Sequence, residues 1–356
     1  MLSFLWNLVF GPAENEPVSN GGTWLEELQL SSANSPSPAW SADFYASILS
    51  RPMRSSPLLS AFPPFPEDAL DSLPTPEEVS QHGTLLDRAD QSSLEKSVWK
   101  VTWHGIDMVV KRGRDVHLEE AAWTEMVRKA TDLPVPKIYG TRVNGQETLI
   151  YLEMLPGTTL YKAVRSLPPT EYSVIRKQLD FLFQELHSLH APEGAPLGGF
   201  GGQNLGALWP IRSHPLFTPS LPSFSTPAEL HEWLRALNAS RRELPAETWD
   251  RDIAPFLAAF SRPVLVHGDL NPSNILVDGD KVTGIIDWEM AGYYPEWIDV
   301  LRVVRWIRLS GGRLDYRLIG EGLWGPTREA MCMYERLWAV GHLFLGQRRD
   351  APVLSS

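Results

Sequence analysis

The sequence predicts an α+β chain of two lobes, a small antiparallel-sheet lobe followed by a larger, mainly helical one. Three observations carry that expectation. β-rich runs paired about turn residues fill residues 97 to 155, and helical stretches dominate from about residue 160. Two short apolar runs then interrupt the helical half within "VLVHGDLNPSNILVDGDKVTGIIDWE", residues 264 to 289.

At 356 residues the chain is long enough for two lobes and a sizeable core, and 43% hydrophobic residues with 14 Trp is a globular composition. A net charge of -11 without clustered Lys and Arg argues against a nucleic-acid partner. One cysteine, Cys332, rules out an intramolecular disulfide and points to a reducing, cytoplasmic setting. The apolar start "MLSFLWNLVF" has no Lys or Arg before it. It is roughly half the ~20 residues a membrane span needs, so no span is expected. Nothing in the sequence specifies an oligomeric state.

Eleven of the 30 prolines fall within the first 80 residues, together with many serines. Residues 1–74 therefore read as a largely irregular arm, with Trp24, Trp40 and Phe44 available to drape part of it on the folded body. Order begins at "TPEEVSQHG", where Thr75 can cap a helix, Pro76 suits its first turn and Glu78 completes a capping box. Residues 75–155 form the expected N-lobe. In it "KSVWKVTW" and "DMVVKRG" make a hairpin about His104-Gly105, "VHLEEAAWTEMVRKA" makes a helix, and a second strand pair turns near Asn144-Gly145. Residues 156–356 form the C-lobe, with helices at "EYSVIRKQLDFLFQELHSLH" and "TPAELHEWLRAL".

The chemistry concentrates where the apolar runs stop. Val264 to Val266 ends at His267-Gly268-Asp269, Ile275 to Val277 follows Asn274, and Ile285-Ile286 ends at Asp287. Asp269, Asn274 and Asp287 can thus converge at one edge of a small sheet. Two carboxylates and an amide oxygen are hard ligands suited to Mg²⁺, with phosphate oxygens and water completing the shell. Phosphoryl transfer needs such a set together with a group that orients the attacking hydroxyl.

The string H-G-D-L-x-P-x-N-I-L-V followed by I-I-D-W-E resembles the aminoglycoside phosphotransferase family, a branch of the protein-kinase-like superfamily that also resembles choline kinases. The resemblance covers about residues 75 to 345. It implies a bilobal protein-kinase-like fold and an ATP- and Mg²⁺-dependent transfer to a small-molecule hydroxyl, with Asp269 the catalytic carboxylate and Asn274 and Asp287 the metal ligands. It also implies a lysine on an early strand, supplied by Lys111, and a helix glutamate to hold it. Amphipathicity leaves Glu119 and Glu120 open, whereas the spacing to "TDLPVP", similar to the family's T-x-I-P-V-P, favours Glu120. "LIYLEMLPGTTL" resembles the family's hinge, whose backbone holds adenine, which implicates Glu153, Met154 and Leu155. Asp299 reads as a structural cap of the helix "VLRVVRWIRL".

Two departures from the wider pattern bear on function. The segment expected over the phosphates, "DQSSLEKSVWK", has no glycine, so backbone N–H groups and the hydroxyls of Ser92, Ser93 and Ser97 stand in for a flexible cover. That departure raises the alternative of a pseudokinase that binds without turnover. Asn271 occupies the place where protein kinases carry a lysine, and "DWEMAGYYPE" replaces a D-F-G to A-P-E activation segment, so a protein kinase is disfavoured.

Overall fold

The computed structural model describes residues 54–55, 73–88, 96–164, 166–199, 224–241 and 244–299. It is α+β, as the sequence predicts: a five-stranded antiparallel sheet in the first half is followed by a half made mainly of helices and short strands. Trp24, Trp40, Phe44, Ser92, Ser93 and the "VLRVVRWIRL" stretch lie outside the described residues.

In chain order the first elements are β1 (Arg54–Ser55), α1 (Pro76–His82), β2 (Thr84–Arg88), β3 (Ser97–Trp103), β4 (Ile106–Gly113), α2 (Leu118–Ala130), β5 (Ile138–Asn144) and β6 (Glu147–Glu153). The capping box opening α1 is formed as read: the Thr75 hydroxyl accepts the Glu78 N–H, and the Glu78 carboxylate accepts the Thr75 N–H at 2.7 Å. Strands β2 to β6 make one antiparallel sheet in the order β2-β3-β4-β6-β5. The β3-β4 turn has positive φ at both His104 (49°) and Gly105 (80°), the geometry whose twist matches that of paired strands. The next turn falls one residue later than expected, on Gly145-Gln146, because Asn144 still pairs with Glu147.

The sheet's buried side chains, among them Val101, Val110, Leu149 and Tyr151, pack with Val79 of α1 and Leu73. The Tyr151 hydroxyl donates to the Pro74 carbonyl at 2.6 Å, which ties the chain's entry to the middle of the sheet. Val116, Ala121, Ile138 and Ile150 form a second buried cluster that seats α2 beside the sheet.

The second half contains β7 (Thr158–Thr159), α3 (Leu160–Ala163), α4 (Pro169–His187), β8 (Leu189–His190), α5 (Pro227–Arg241) and α6 (Ala246–Thr248). A π-helical turn, Trp249–Ile253, joins α6 to α7 (Ala254–Ala259), and β9 (Pro263–Val266), β10 (Ile275–Asp278), β11 (Lys281–Ile285) and β12 (Gly292–Pro295) follow. Arg54–Ser55 runs parallel to Leu189–His190, so the residues read as an irregular arm contribute a short strand.

One expectation is corrected. The strands leading to Asp269 and away from Asn274 do not share a sheet: β9 lies in the order β1-β8-β9-β12, whereas β10 lies in β11-β10-β7. The loop between them crosses from one sheet to the other, and hydrogen bonds from side chains and main chain rather than one continuous edge hold the polar residues together.

Candidate active site

Lys111 sits in β4 opposite Val98 and Ile150, in the middle of the five-stranded sheet. Strand alternation turns its side chain inward, where it is buried. Its ammonium contacts a carboxylate oxygen of Glu120 and donates to Asp287 Oδ1 at 2.5 Å. Glu120, not Glu119, is therefore the helix partner. It is 1% exposed on the face of α2 that also buries Trp123 and Val127. Trp123 meets Tyr293 of β12 edge to face at 5.5 Å, so the helix carrying Glu120 is packed against the strand that follows Asp287.

Electrostatics follow from that burial. Desolvation works against the Lys111 charge, but Asp287 and Glu120 outweigh it and hold the ammonium above its usual range. Desolvation likewise opposes the Asp287 charge, and Lys111 with Lys96 overcomes it, so this carboxyl lies well below the ordinary carboxylate range. Glu120 is shifted upward by its burial, with the Asp287 charge adding to that direction against the pull of Lys111.

Asp287 adopts a left-handed conformation, φ 70° and ψ 59°, an uncommon one for a residue with a side chain and one that Asp tolerates better than most. The chain turns there from β11 into the short 3-10 turn Trp288–Met290.

Asp269 and Asn274 form the second group. The Asn274 amide donates to the Asp269 carbonyl at 2.9 Å, and the Asn271 amide donates to the Asp269 carbonyl and to Oδ2 at 3.1 and 3.2 Å. Asn271 also accepts the Ser273 N–H at 2.8 Å, which fixes the bend of the loop. With its side-chain nitrogen committed to Asp269, Asn274 keeps its side-chain Oδ1 for another partner.

The two groups are joined through main chain. The Ile286 N–H donates to the Asn274 carbonyl at 2.9 Å, and the Ile286 carbonyl receives His267 Nε2 at 2.9 Å. His267 is buried against Trp288, and burial pushes its imidazole below the usual value, toward the neutral form. A neutral ring that donates from Nε2 must accept at Nδ1, where the Asp269 N–H lies at 3.3 Å. His267 is thus a strut that sets Asp269 and Asp287 relative to each other.

Asp299 is structural, as read, and the helix it was expected to cap lies outside the described residues. Its carboxylate accepts the His267 N–H at 3.0 Å and the Gly268 N–H at 2.9 Å, and it meets His187 Nε2 at 3.2 Å. It caps the loop before Asp269. The helical register at residues 297 to 299 turns the side chain toward β9, a direction that a string of residues does not reveal.

The remaining expected residues are less concentrated. The Ser97 hydroxyl is engaged within its own hairpin, accepting from Trp99 Nε1 at 2.9 Å and lying 3.3 Å from the Arg112 carbonyl. Glu153 ends β6, where its N–H donates to the Lys137 carbonyl at 2.9 Å. Leu155 is half-buried, with its side chain over Gly284 of β11.

Two residues were missed by sequence reasoning. The Lys96 ammonium lies 2.5 Å from Glu289 Oε2 and 3.7 Å from Asp287 Oδ1. Glu289 closes the I-I-D-W-E string, so its position was legible while its partner was not.

The donor set suits a hard divalent cation. Ligand oxygens of Glu120, Asp287 and Glu289 lie within 4.8 Å of one another, and Glu120 Oε2 is buried without a hydrogen-bond partner among the described residues. The side-chain Oδ1 of Asn274, in the second group, is an oxygen of the same hard character.

Several solved structures are similar to this chain. An aminoglycoside phosphotransferase in ternary complex with ADP and hygromycin B is 15% identical with a TM-score of 0.47, covering 75% of this chain and 94% of that one. A macrolide 2'-phosphotransferase from Brachybacterium faecium is 20% identical with a TM-score of 0.41, covering 75% and 88%. A spectinomycin phosphotransferase bound to ADP and spectinomycin is 14% identical with a TM-score of 0.41, covering 74% and 78%. Among curated proteins, an aminoglycoside 3'-phosphotransferase of Enterococcus faecalis is 34% identical over 92 residues, and the match spans 22% of this chain and about a third (34%) of the relative's length. The model of the phosphotransferase enzyme family matches residues 88–334, and the chain belongs to that family.

Proposed function

We propose that the chain transfers the γ-phosphoryl group of ATP to a hydroxyl of a small molecule, with Mg²⁺ bound between Asn274 and Asp287. The observation that carries this reading is Lys111, whose ammonium joins a buried helix glutamate to a carboxylate from 176 residues downstream. A lysine clamped by two carboxylates is fixed in direction and always charged, as a phosphate clamp must be.

In this reading residues 75–155 are the nucleotide-binding lobe and 156–356 the catalytic lobe, with 1–74 an arm. Lys111 holds the nucleotide phosphates and Glu120 holds Lys111. The backbone near Glu153 and Leu155 receives the adenine, and the segment of Ser93 and Ser97 faces the phosphates. Bound metal supplies charge neutralisation on the β- and γ-phosphates. Asp269, held by Asn271 and Asn274, orients the acceptor hydroxyl and takes its proton as the new O–P bond forms. No described helix is long and apolar enough to cross a membrane, and the single cysteine supports a cytoplasmic setting.

Thermal unfolding with and without Mg²⁺-ATP tests the reading, with Asp287→Asn alongside. A ligand at ~100 times its Kd adds about 2.7 kcal/mol to the native state. A Mg²⁺-dependent rise that vanishes in Asp287→Asn supports it, and ADP release across amino alcohols, sugars and simple alcohols then identifies the acceptor class. No rise at millimolar ATP overturns it in favour of a fold retained without nucleotide turnover, the outcome that the glycine-free segment would favour.

A further inference from the structure

Lys96 immediately precedes β3, and its ammonium reaches across to the turn after β11. There it contacts Glu289 at 2.5 Å and lies 3.7 Å from the same Asp287 oxygen that Lys111 holds at 2.5 Å. Two ammonium groups therefore face the three carboxylates of Glu120, Asp287 and Glu289. Carboxylates this close to one another repel, and the second ammonium offsets much of that repulsion while no metal is bound.

The two lysines differ in access. Lys111 and Glu120 have side chains 9% and 1% exposed, a closed pair in the lobe interior. Lys96, Asp287 and Glu289 keep 20%, 25% and 23%, so the outer pair faces solvent. The outer carboxylates also belong to the hard-oxygen cluster suited to a divalent cation. A divalent cation on Asp287 and Glu289 competes with both ammonium groups; Lys111 keeps its buried partner Glu120 when it does, whereas the carboxylate partners of Lys96 among the described residues are those two alone. Arrival of the metal must release Lys96, and the phosphates that accompany the metal are the nearest anions to receive it. A lysine has four rotatable side-chain bonds, enough to change partner without moving its strand.

We propose that Lys96 is a second phosphate-binding lysine, parked in the ligand-free chain on Asp287 and Glu289 and exchanged onto the nucleotide's phosphates when a divalent cation takes those carboxylates. The inference rests on the nucleotide reading above. It accounts for a phosphate segment that lacks glycine: a long cationic side chain does the work that close backbone approach does elsewhere.

The exchange makes opposite predictions for two ligands of one variant. Lys96→Met removes the internal competitor, so Mn²⁺ without nucleotide binds several-fold tighter. The same change removes a phosphate ligand, so Mg²⁺-ADP binds at least tenfold weaker, while adenosine, which has no phosphate, binds as in the wild type. Titration calorimetry of the full chain with Mg²⁺-ADP and adenosine, and Mn²⁺ titration followed by electron paramagnetic resonance, read all three. Lys96→Gln repeats the set should the Met variant fail to fold, and Lys96→Arg retains most of the Mg²⁺-ADP affinity. Unchanged Mg²⁺-ADP affinity, unchanged or weaker Mn²⁺ binding, or a parallel loss of adenosine each overturns the exchange. Absence of Mg²⁺-ADP binding to the wild type fells the nucleotide reading itself, and that failure is visible before any variant is measured.

Discussion

The carboxylate of Asp299 accepts the main-chain N–H of Gly268 at 2.9 Å, 31 residues upstream, while its other oxygen accepts the N–H of His267 at 3.0 Å. Two backbone donors of the loop before Asp269 are satisfied by one buried side chain. Replacing Asp299 by Asn turns one of those acceptors into a donor and orphans an amide. Leaving a buried donor unpaired costs about 1–3 kcal/mol, so Asp299→Asn should lose roughly that much in urea unfolding. A midpoint within error of wild type would show that the loop holds itself.

Asp269→Asn keeps the hydrogen bond from Asn271 and the fold, but removes the proton acceptor. Turnover should fall about 10² to 10⁴, equivalent to ~3–5 kcal/mol of transition-state stabilisation, with Mg²⁺-nucleotide binding retained. Steady-state kinetics together with a binding titration check this, and unchanged kcat would remove Asp269 from its role.

Lys111 neutralises a glutamate that is sealed from solvent. Lys111→Met should therefore destabilise by about 3–5 kcal/mol, the usual cost of stranding a buried charge. Lys111→Met with Glu120→Gln should recover a large part of that loss, since the sealed side chain of residue 120 no longer carries a charge. Equal unfolding midpoints for the single and double variants would mean that Glu120 simply takes a proton.

Stability should also decline in mild acid. Burial pushes the His231 imidazole down to about 4, and its Nε2 has no partner among the described residues. The unfolded ring titrates near ~6.5, so the contribution is present above that pH and is lost as pH falls from ~6.5 toward the folded value. His267 acts in the same direction. After allowance for partial exposure of His231, a loss on the order of 1–2 kcal/mol is expected over that range. Thermal unfolding of wild type and His231→Leu at pH 7.5 and 4.5 should give a shallower decline for the variant; parallel declines would refute the assignment.

Gly157 lies in the segment after β6 with φ 100°, and an added Cβ would stand 2.3 Å from the Val277 carbonyl oxygen of β10. Gly157→Ala should cost at least ~2 kcal/mol, combining an unfavourable backbone conformation with the clash. Near-neutral stability would mean that β7 can shift away from β10.

How far the sequence reaches can be argued from individual residues. The Thr75-Glu78 capping box was legible because it is local, closing over three residues. The His104-Gly105 turn and the strands on either side were legible for the same reason. Amphipathicity could not choose between Glu119 and Glu120, because both faces of that helix carry apolar residues; the spacing to "TDLPVP" favoured Glu120, and the position of β4 brings that carboxylate to Lys111. Asp269, Asn274 and Asp287 stood out by spacing, yet their arrangement across two sheets depends on His267 and Ile286, whose hydrogen bonds link residues 19 apart.

The sequence by itself determined the two-lobed α+β class, the order of the elements and the residue types able to carry phosphoryl chemistry, since those depend on periodicity, turn residues and short motifs. Tertiary structure alone decided that Lys96 and Glu289 join the site and that Asp299 clamps the loop before Asp269. Those contacts close across 193 and 31 residues. Their geometry is set by strand register and helix rotation in the packed lobes, which no local pattern encodes.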